Sequence, residues 1–513
     1  MDTQQADGSL FLSAFDRAEF AERTAIVFQH ERWTYANIAA EADRIAAGLQ
    51  RLGVKERDRV GLHFKNCPQL LAALLACTWI GSIAVPIRRW QSAPVTIAWS
   101  NHLAVSYLLV EGSLVGKLAP HLGALTSCRA VISTADDAHD SGVMPWRFLV
   151  RNDDGRRHQR VAGHEREPAI ILHTSGSTAL PKPVGQSLHS LNARARNQLS
   201  RLPLYPEDVV CIFADCSHGF GLHASATPAF AVGATVLLMP EFDPALIIRA
   251  MADHGATVTG GAPGYLRGLL DAMRERPHAS RLRLAITSTD KAQETLHNEW
   301  RETFHAPLVE AYGMTELCSL VMSNRPDDNG VGTVGRPFPG VNIRIAGPDG
   351  RDVPDGTTGE LLVNGDMLFT GYWNDPDATR QVMVEGWLKT GDQATRDHDG
   401  RYRIEGRTGF MIKRGGIFVS PYEVEAALLK HVGVADCMAI GVPSDRWGQE
   451  VEALVVLKQA TTAAELHNHA TDALGEPSRP VRFWSVDAVP KTPLGKVARN
   501  EFTRLRSSAV LLS

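Results

Sequence analysis

The chain has 513 residues, more than one hydrophobic core usually supports, so we expect at least two domains. Its 53 Lys and Arg residues are balanced by 57 Asp and Glu residues, for a net charge of -4, which argues against a nucleic-acid partner. The seven cysteines are scattered without a Cys-x-x-Cys pair, and the first residues do not resemble a secretory signal. We therefore expect a cytoplasmic protein without structural zinc.

One apolar stretch, residues 70–87, raises the question of a membrane span. It contains Gly81 and Pro86 and divides into a buried helix, a glycine turn and a short strand. We predict that no segment spans a membrane.

Helical and strand-like patterns alternate from Trp33 onward, which is typical of a parallel sheet covered by helices. Helices are predicted over 38–52, 69–79 and 244–254, and strands over 59–64, 82–87, 209–214, 235–239 and 256–259. After about Gly330 the pattern changes to short alternating runs broken by Gly, Pro and Asp. The last hundred residues contain predicted helices over 422–431 and 461–474.

The predicted fold class is therefore α/β. We expect a large N-terminal domain, residues 1–406, of two sheet-and-helix subdomains and a small β-barrel-like subdomain. A small mobile α+β C-terminal domain, residues 407–513, follows it.

A loop rich in hydroxyl groups follows the apolar strand at 169–172. Such a loop can surround phosphate oxygens with N–H and hydroxyl donors, although an isolated Ser/Gly string is also typical of a flexible surface loop. It is not a Walker loop, because the Gly-Lys-Ser/Thr ending is absent. Its candidate residues are Thr174, Ser175, Gly176, Ser177, Thr178 and Lys182.

Further motifs follow in a fixed order. They are 311–316 (AYGMTE), 332–337 (GTVGRP), 359–361 (GEL), 387–392 (WLKTGD), Gly406-Arg407, Lys413 and 490–496 (PKTPLGK). This ordered set resembles the superfamily of acyl-CoA synthetases, peptide-synthetase adenylation domains and luciferases, from about Trp33 to Phe502.

The resemblance implies a role for each matching residue. The hydroxyl loop would bind the β- and γ-phosphates of ATP, Tyr312 would stack on adenine beside Gly313 and Ser288, and Thr315 would contact the α-phosphate. Glu316 would hold Mg²⁺. The remaining implied contacts are Asp392 and Arg407 at the ribose, Lys496 bridging carboxylate, ribose and α-phosphate, and Lys413, Gly415 and Gly416 facing the acyl-adenylate.

The same roles have a physical basis. Attack of a carboxylate on an α-phosphate brings two anions together, so a cation such as Lys496 is needed where charge accumulates. An Asp accepts two vicinal hydroxyl groups well, which suits Asp392. His218 matches the position of an acyl-pocket gate, although a structural histidine is the competing interpretation.

The chain departs from the family pattern at several positions. Ala179 and Pro183 replace small residues of the phosphate loop, where a Cβ or a ring restricts the backbone and Pro removes a donor. Asp290 places a carboxylate beside an anionic nucleotide unless Lys291 or another cation compensates it. Gly409 replaces the usual hinge residue and would widen the rotation of the small domain.

The predicted function is an acyl-CoA ligase that uses ATP, Mg²⁺ and coenzyme A and acts through an acyl-adenylate. The small and apolar segments 220–226 and 260–265 favour a bulky apolar acid, although their glycines also suit strand packing. One alternative is transfer of a preformed acyl-adenylate, supplied by a partner adenylating enzyme, to coenzyme A. Another is a stand-alone adenylation enzyme that loads a carrier protein, with Asp215 as a candidate for pairing an amino-acid substrate. Retention of Glu316 and Lys496 argues against a catalytically dead relative.

Overall fold

The structure is a computed structural model. It describes residues 13–135, 142–151, 160–161, 163–174, 182–407, 409–414, 417–444, 448–474, 478–492 and 497–513.

Twenty-eight strands are found in the described residues. Those up to residue 337 are Thr24–Phe28 (β1), Glu31–Thr34 (β2), Arg59–His63 (β3), Ile83–Ile87 (β4), Val105–Val110 (β5), Ala130–Ser133 (β6), Met144–Pro145 (β7), Pro168–His173 (β8), Pro183–Ser187 (β9), Val209–Ile212 (β10), Thr235–Leu238 (β11), Val258–Gly261 (β12), Leu284–Thr287 (β13), Leu308–Met314 (β14), Ser319–Ser323 (β15) and Arg336–Pro337 (β16). The later strands are Val341–Ala346 (β17), Gly359–Gly365 (β18), Gly371–Tyr372 (β19), Met383–Val384 (β20), Trp387–Arg396 (β21), Tyr402–Arg407 (β22), Ile412–Arg414 (β23), Ile417–Val419 (β24), Val434–Ser444 (β25), Gly448–Leu457 (β26), Arg482–Ser485 (β27) and Val510–Leu511 (β28).

The α-helices between these strands, in chain order, are Tyr35–Arg51 (α1), Pro68–Trp79 (α2), Ala93–His102 (α3), Gly112–Leu118 (α4), Trp146–Val150 (α5), Leu188–Arg201 (α6), Thr227–Ala231 (α7), Pro244–His254 (α8), Pro263–Glu275 (α9), Glu294–Phe304 (α10), Pro376–Val382 (α11), Pro421–Leu428 (α12), Ala463–Leu474 (α13) and Phe502–Arg506 (α14). A π-helical segment, Phe220–Ala226, precedes α7. Among the described residues, no helix is both long and apolar enough to span a bilayer.

Two mostly parallel sheets form the large N-terminal part. One has the order β19-β9-β8-β4-β3-β5-β6-β7 and the other β16-β15-β14-β13-β12-β10-β11-β1-β2. Antiparallel strands occur at their edges, and the inner strands are parallel. This confirms the predicted pair of sheet-and-helix subdomains.

The predicted β-rich region forms an antiparallel sheet in which β17, β18, β21 and β20 are neighbours in that order and β22 pairs with β21. Among the described residues, these pairings give an open sheet, because its first and last strands do not pair with each other. A further six-stranded sheet, β23 to β28, is packed with α12 and α13. Its buried residues form clusters of their own around Phe483 and Phe502. The division at residues 406 and 407 stays a prediction.

Local sequence explains where the helices begin and end. The first helix starts at Tyr35, earlier than the predicted residue 38, because the side chains of Thr34 and Asn37 form a capping box. Helix α8 has the predicted bounds, 244–254: Asp243 caps its start and Gly255, at φ 65°, ends it.

The prediction of a strand at 256–259 was wrong by two residues, since β12 runs from Val258 to Gly261. A Cβ on Gly260 would lie 2.6 Å from the carbonyl oxygen of Ile286. The glycines therefore belong to a buried strand that packs closely against β13.

We predict that Gly335→Ala destabilises the protein more than Gly350→Ala. Both glycines have positive φ, 70° and 78°, but a Cβ on Gly335 would lie 2.0 Å from the Ser323 carbonyl oxygen, whereas Gly350 has nothing within 4 Å. Gly350→Ala should cost about 1 kcal/mol for the left-handed backbone alone. Gly335→Ala should cost roughly 2–4 kcal/mol, because an unyielding clash is added. Urea unfolding followed by tryptophan fluorescence measures both, and equal losses would contradict this account.

Candidate active site

A cavity of about 550 Å³ lies where the carboxyl ends of parallel strands meet the antiparallel sheet. Thr174, Ser288 and Tyr312 line it from the ends of β8, β13 and β14. Asp392 and Arg407 line it from the antiparallel sheet. The carboxyl edge of an open α/β sheet is where such folds bind ligands.

The structure brings most of the described candidate residues to this one cavity. Those that line it are Thr174, Lys182, His218, Ser288, Tyr312, Gly313, Thr315, Glu316, Asp392 and Arg407. Ser175, Gly176, Ser177, Thr178, Ala179, Gly415, Gly416 and Lys496 lie outside the described residues. Lys413 lies in β23, where only its backbone is described.

A backbone irregularity directs Asp392 into the cavity. The register between β18 and β21 shifts between Glu360 and Leu362, and Gly391 has φ 73°. The hydroxyl of Thr390 accepts the N–H of Asp392 (3.1 Å) and donates to the carbonyl oxygen of Leu361 (2.8 Å). A bulge of this kind changes where a side chain points, and here the hydroxyl of Thr390 pairs with two backbone groups beside it.

Asp392 is buried and paired on both carboxylate oxygens. Oδ1 accepts Nε–H of Arg407 at 3.0 Å and Oδ2 accepts the hydroxyl of Tyr312 at 2.6 Å. Arg407 is the cross-strand partner of Asp392 in the β21–β22 ladder, so strand register supplies this ion pair. Burial and the charge of Asp392 raise the pKa of Tyr312 well above its usual range, which keeps the phenol protonated as a donor.

Glu316 is a second buried carboxylate on the cavity wall. Its Oε1 accepts the hydroxyl of Tyr372 at 2.9 Å, and Nζ of Lys182 lies 4.8 Å from the centre of the Tyr372 ring. Burial raises the pKa of Glu316, while hydrogen bonds from the backbone and Tyr372 oppose the rise. The phenol thus helps to keep the carboxylate charged.

A buried hydrogen-bond chain supports the turn that carries Thr315 and Glu316. Nε2 of Gln186 donates to the carbonyl oxygen of Thr315, and Oε1 of Gln186 pairs with Nε2 of His223, both at 2.8 Å. Burial, followed by the charges of Arg194 and His218, lowers the pKa of His223 far below its usual range. A neutral His223 therefore donates through Nε2 and fixes the orientation of the amide.

The base of the predicted phosphate loop is closed by two hydrogen bonds. The N–H of Thr174 donates to the carbonyl oxygen of Lys182 (3.2 Å), and the N–H of Lys182 donates to the hydroxyl of Thr174 (3.3 Å). Pro183 begins strand β9 opposite His173. Its missing N–H therefore affects the start of a strand, a position where proline is tolerated.

His218 lines the cavity beside Gly219 and Phe220. Its Nδ1 accepts the N–H of Phe220 at 3.3 Å, so a neutral His218 carries its proton on Nε2. Buried His173 and His223 both lie within electrostatic reach of His218.

Most of the other candidates for substrate recognition do not line this cavity. The carboxylate of Asp215 is buried, accepts the N–H of Ser217 at 2.7 Å and faces Nε of Arg89 at 3.5 Å. Of the segments 220–226 and 260–265, only Phe220 lines the cavity. A Cβ on Gly261 would lie 2.8 Å from the ring of Phe213, which shows that this glycine serves packing.

Comparison with known proteins identifies the family. Residues 15–373 match the family model of the AMP-binding enzyme, and residues 423–496 match that of the AMP-binding enzyme C-terminal domain. The chain belongs to the AMP-binding enzyme family.

Three similar proteins extend this result. The AMP-binding enzyme described here is 31% identical to an indoleacetate–CoA ligase of Aromatoleum aromaticum, covering 94% of this chain and 95% of that protein. It is 33% identical to a sulfoacetate–CoA ligase of Cupriavidus necator, covering 91% of both. The crystal structure of the anthranilate CoA ligase AuaEII in complex with anthranoyl-AMP has a TM-score of 0.88 and 25% identity and covers 98% of this chain and 97% of that chain. The chain is thus an enzyme, an acid–thiol ligase of the acyl-CoA synthetase type.

The sequence analysis missed two residues that line the cavity of this AMP-binding enzyme, Tyr372 and Arg499, and one that supports its wall, Gln186. Tyr372 follows a glycine in a β-rich segment, and nothing in that pattern links it to Glu316. Gln186 does carry a signal, because it is a polar residue in a short buried strand. Arg499 and the C-terminal residues near it line the same cavity. Their position could not be predicted, because they lie far along the chain from the large domain.

We predict that Tyr372→Phe moves the acidic limb of the pH–rate profile to higher pH. The change removes a hydrogen bond to the charged carboxylate of Glu316, so its pKa rises further, while the ring beside Lys182 is kept. Tyr205→Phe is the matched control, because Tyr205 is exposed and its ring also faces a cation, Arg283. An unshifted limb in Tyr372→Phe, with normal folding, would show that Glu316 need not be ionised.

Proposed function

We propose that this enzyme joins a carboxylic acid to coenzyme A in two steps through an acyl-adenylate. The observation that carries this proposal is the pair of buried carboxylates, Asp392 and Glu316, that line one cavity. One is positioned by Tyr312 and Arg407 and the other by Tyr372. Two anionic groups with separate donors suit two tasks, sugar recognition and metal binding.

In this proposal Asp392 accepts the two ribose hydroxyl groups of ATP. Each of its oxygens already accepts one hydrogen bond, and a carboxylate oxygen can accept a second. Tyr312 and Gly313 contact the adenine with Ser288, and Thr315 contacts the α-phosphate. Thr174 and Lys182, at the base of the phosphate loop, are proposed to bind the β- and γ-phosphates, and the same role is proposed for Ser175, Gly176, Ser177 and Thr178.

Glu316 is the proposed Mg²⁺ ligand. Among the described residues no group of three or more His, Cys, Asp or Glu could hold a metal, but Mg²⁺ bound with a nucleotide commonly uses only one or two carboxylates plus phosphates. The buried, hydrogen-bonded Glu316 fits that requirement. The metal would neutralise charge on the phosphates during the first step.

In the first step a carboxylate oxygen of the acid attacks the α-phosphorus, and the bond to pyrophosphate breaks. In the second step the thiol of coenzyme A attacks the acyl carbon, loses its proton and releases AMP. Lys496 is the proposed cation for the first step. Thr492 and Val497, on either side of residues 493–496, both line the cavity. Lys413, Gly415 and Gly416 are proposed to face the adenylate in the second step.

The proposed acid is aromatic or otherwise bulky and apolar. Phe220, Met314 and Leu320 contribute apolar side chains to the wall that also contains His218 and Ser319. This wall suits an aryl group better than a small charged acid. His218 is proposed to border the acyl group through its Nε2–H.

The two alternatives are weaker. Pro183 lies at the start of a strand, so it gives no argument for a lost phosphate donor. An amino-acid substrate is disfavoured, because Asp215 is already paired and lies beside Arg89.

Exchange of pyrophosphate into ATP, measured with a panel of acids, tests the proposal. Indoleacetate, anthranilate, benzoate, acetate and sulfoacetate are tried with Mg²⁺, and thioester formation is then measured with coenzyme A and with a carrier protein. We expect exchange with one or more aromatic acids and a thioester of coenzyme A. Thioester formation only from a synthetic acyl-adenylate, or only on the carrier protein, would overturn the proposal.

We predict that Asp392→Asn lowers the exchange rate about tenfold to a hundredfold, because a charged acceptor of two hydroxyl groups becomes a neutral one. Lys496→Ala should abolish exchange while retaining transfer from a supplied acyl-adenylate. Asp253→Asn, at an exposed position of α8, is the control and should leave both rates unchanged. Exchange by Asp392→Asn at the unaltered rate would exclude the ribose role.

A further inference from the structure

The loop that follows β13 contains two adjacent residues of opposite charge, Asp290 and Lys291, and both line the cavity. Thr289 before them has φ 80°, an unfavourable conformation for a β-branched residue. Strain of this kind persists only where surrounding contacts maintain it. Contacts with neighbouring residues therefore maintain the conformation of this loop.

Asp290 contacts the C-terminal part of the chain directly. Its Oδ1 accepts the N–H of Lys291 at 2.9 Å, which fixes the orientation of the carboxylate. Its Oδ2 accepts the N–H of Val497 at 3.4 Å. Val497 directly follows Lys496 in the chain, so the contact restrains one end of the peptide that carries this lysine.

A buried cation lies behind this contact. Nη2 of Arg499 donates to both carboxylate oxygens of Glu425 at 2.6 Å, and its guanidinium lies 4.6 Å from the centre of the Tyr422 ring. Burial lowers the pKa of Arg499, but the charges of Glu425, Tyr422 and Asp290 outweigh this and raise it. Asp290 therefore lies close enough to favour the charged form of Arg499.

Lys291 lies within electrostatic reach of an acidic residue of the same domain, Glu423. Burial and the charge of Glu405 raise the pKa of Glu423, at the start of α12, and Lys291 opposes the rise. The negative residue of the loop thus contacts Val497 and lies within electrostatic reach of Arg499, and the positive residue lies within reach of Glu423. One hydrogen bond and two complementary charge effects from adjacent residues favour one orientation of the domain.

We propose that Asp290 and Lys291 are positioning residues that dock the C-terminal domain against the cavity in the arrangement seen here. Docking brings Thr492, Val497 and Arg499 to the cavity wall and favours adenylate formation. The docked domain must be released before the second step. This last consequence rests on the proposed function, whereas the docking itself does not.

Exchanging the charges of Lys291 and Glu423 tests the docking without a measurement of catalytic activity. Spin labels are attached at Asp253→Cys and Val432→Cys, both exposed positions, in a Cys128→Ser background because the other six cysteines are buried. We expect Lys291→Glu and Glu423→Lys each to lower the ratio of docked to undocked molecules about twofold to fivefold, as for nearby opposite charges that water partly screens. The double variant should restore it. Single variants with the wild-type distance distribution, or a double variant that sums the two losses, would overturn the proposal.

Asp290→Asn and Asp290→Lys provide a second test. Asn keeps an acceptor for the N–H of Val497 and should undock the domain less than Lys, which repels Arg499. We expect the rate of pyrophosphate exchange to fall in the same order, while transfer from a supplied acyl-adenylate is not reduced. Equal loss of both half-reactions would indicate a merely structural role and contradict the proposal. If the distances respond as expected but no acid is turned over, the docking stands and the proposed function fails.

Discussion

The structure of the cavity depends on one interaction, the carboxylate of Asp392 held between Tyr312 and Arg407. Tyr312 belongs to the nine-stranded sheet, whereas Asp392 and Arg407 belong to the antiparallel sheet. The interaction therefore joins two sheets through a buried charge. Removing either partner would leave that charge incompletely compensated, a larger penalty than the loss of an ordinary surface contact.

The second buried carboxylate of the cavity is also held by a hydrogen-bond donor. Glu316 is buried beside Tyr372, and the turn that carries it is held by Gln186 and His223. Each carboxylate thus has its own neutral donor, and those donors are fixed by packing before any ligand binds. Fixed donors and acceptors require little reorganisation during a reaction that moves charge between phosphate groups.

Much of this arrangement could be predicted from the sequence. The alternation of patterns predicted both parallel sheets, and helix α8 was predicted with its observed bounds, 244–254. The motifs around Glu316, Asp392 and Arg407 identified residues that the structure brings together from positions nearly a hundred residues apart, because family motifs record three-dimensional sites as linear strings. For Asp290 the sequence analysis named Lys291 or another cation as compensation, but it did not name Arg499, which lies within electrostatic reach of Asp290.

What could not be predicted depends on geometry that sequence does not encode locally. The bulge at Thr390 and Gly391 that redirects Asp392 arises from a register shift between two strands. No pattern of residues in the sequence predicts this shift. The glycines at 260 and 261 suited a pocket and a packed strand equally well, and only the distances to Ile286 and Phe213 decided between them. Contacts between Asp290 and Val497 join residues far apart in the chain.

The most direct test of the central claim is calorimetric binding of AMP and of 2′,3′-dideoxy-AMP to the wild-type enzyme and to Asp392→Ala. If Asp392 accepts the ribose hydroxyl groups, the wild type should prefer AMP at least about tenfold, as expected for hydrogen bonds to a charged group, and Asp392→Ala should lose that preference. An equal preference in both proteins would contradict the account.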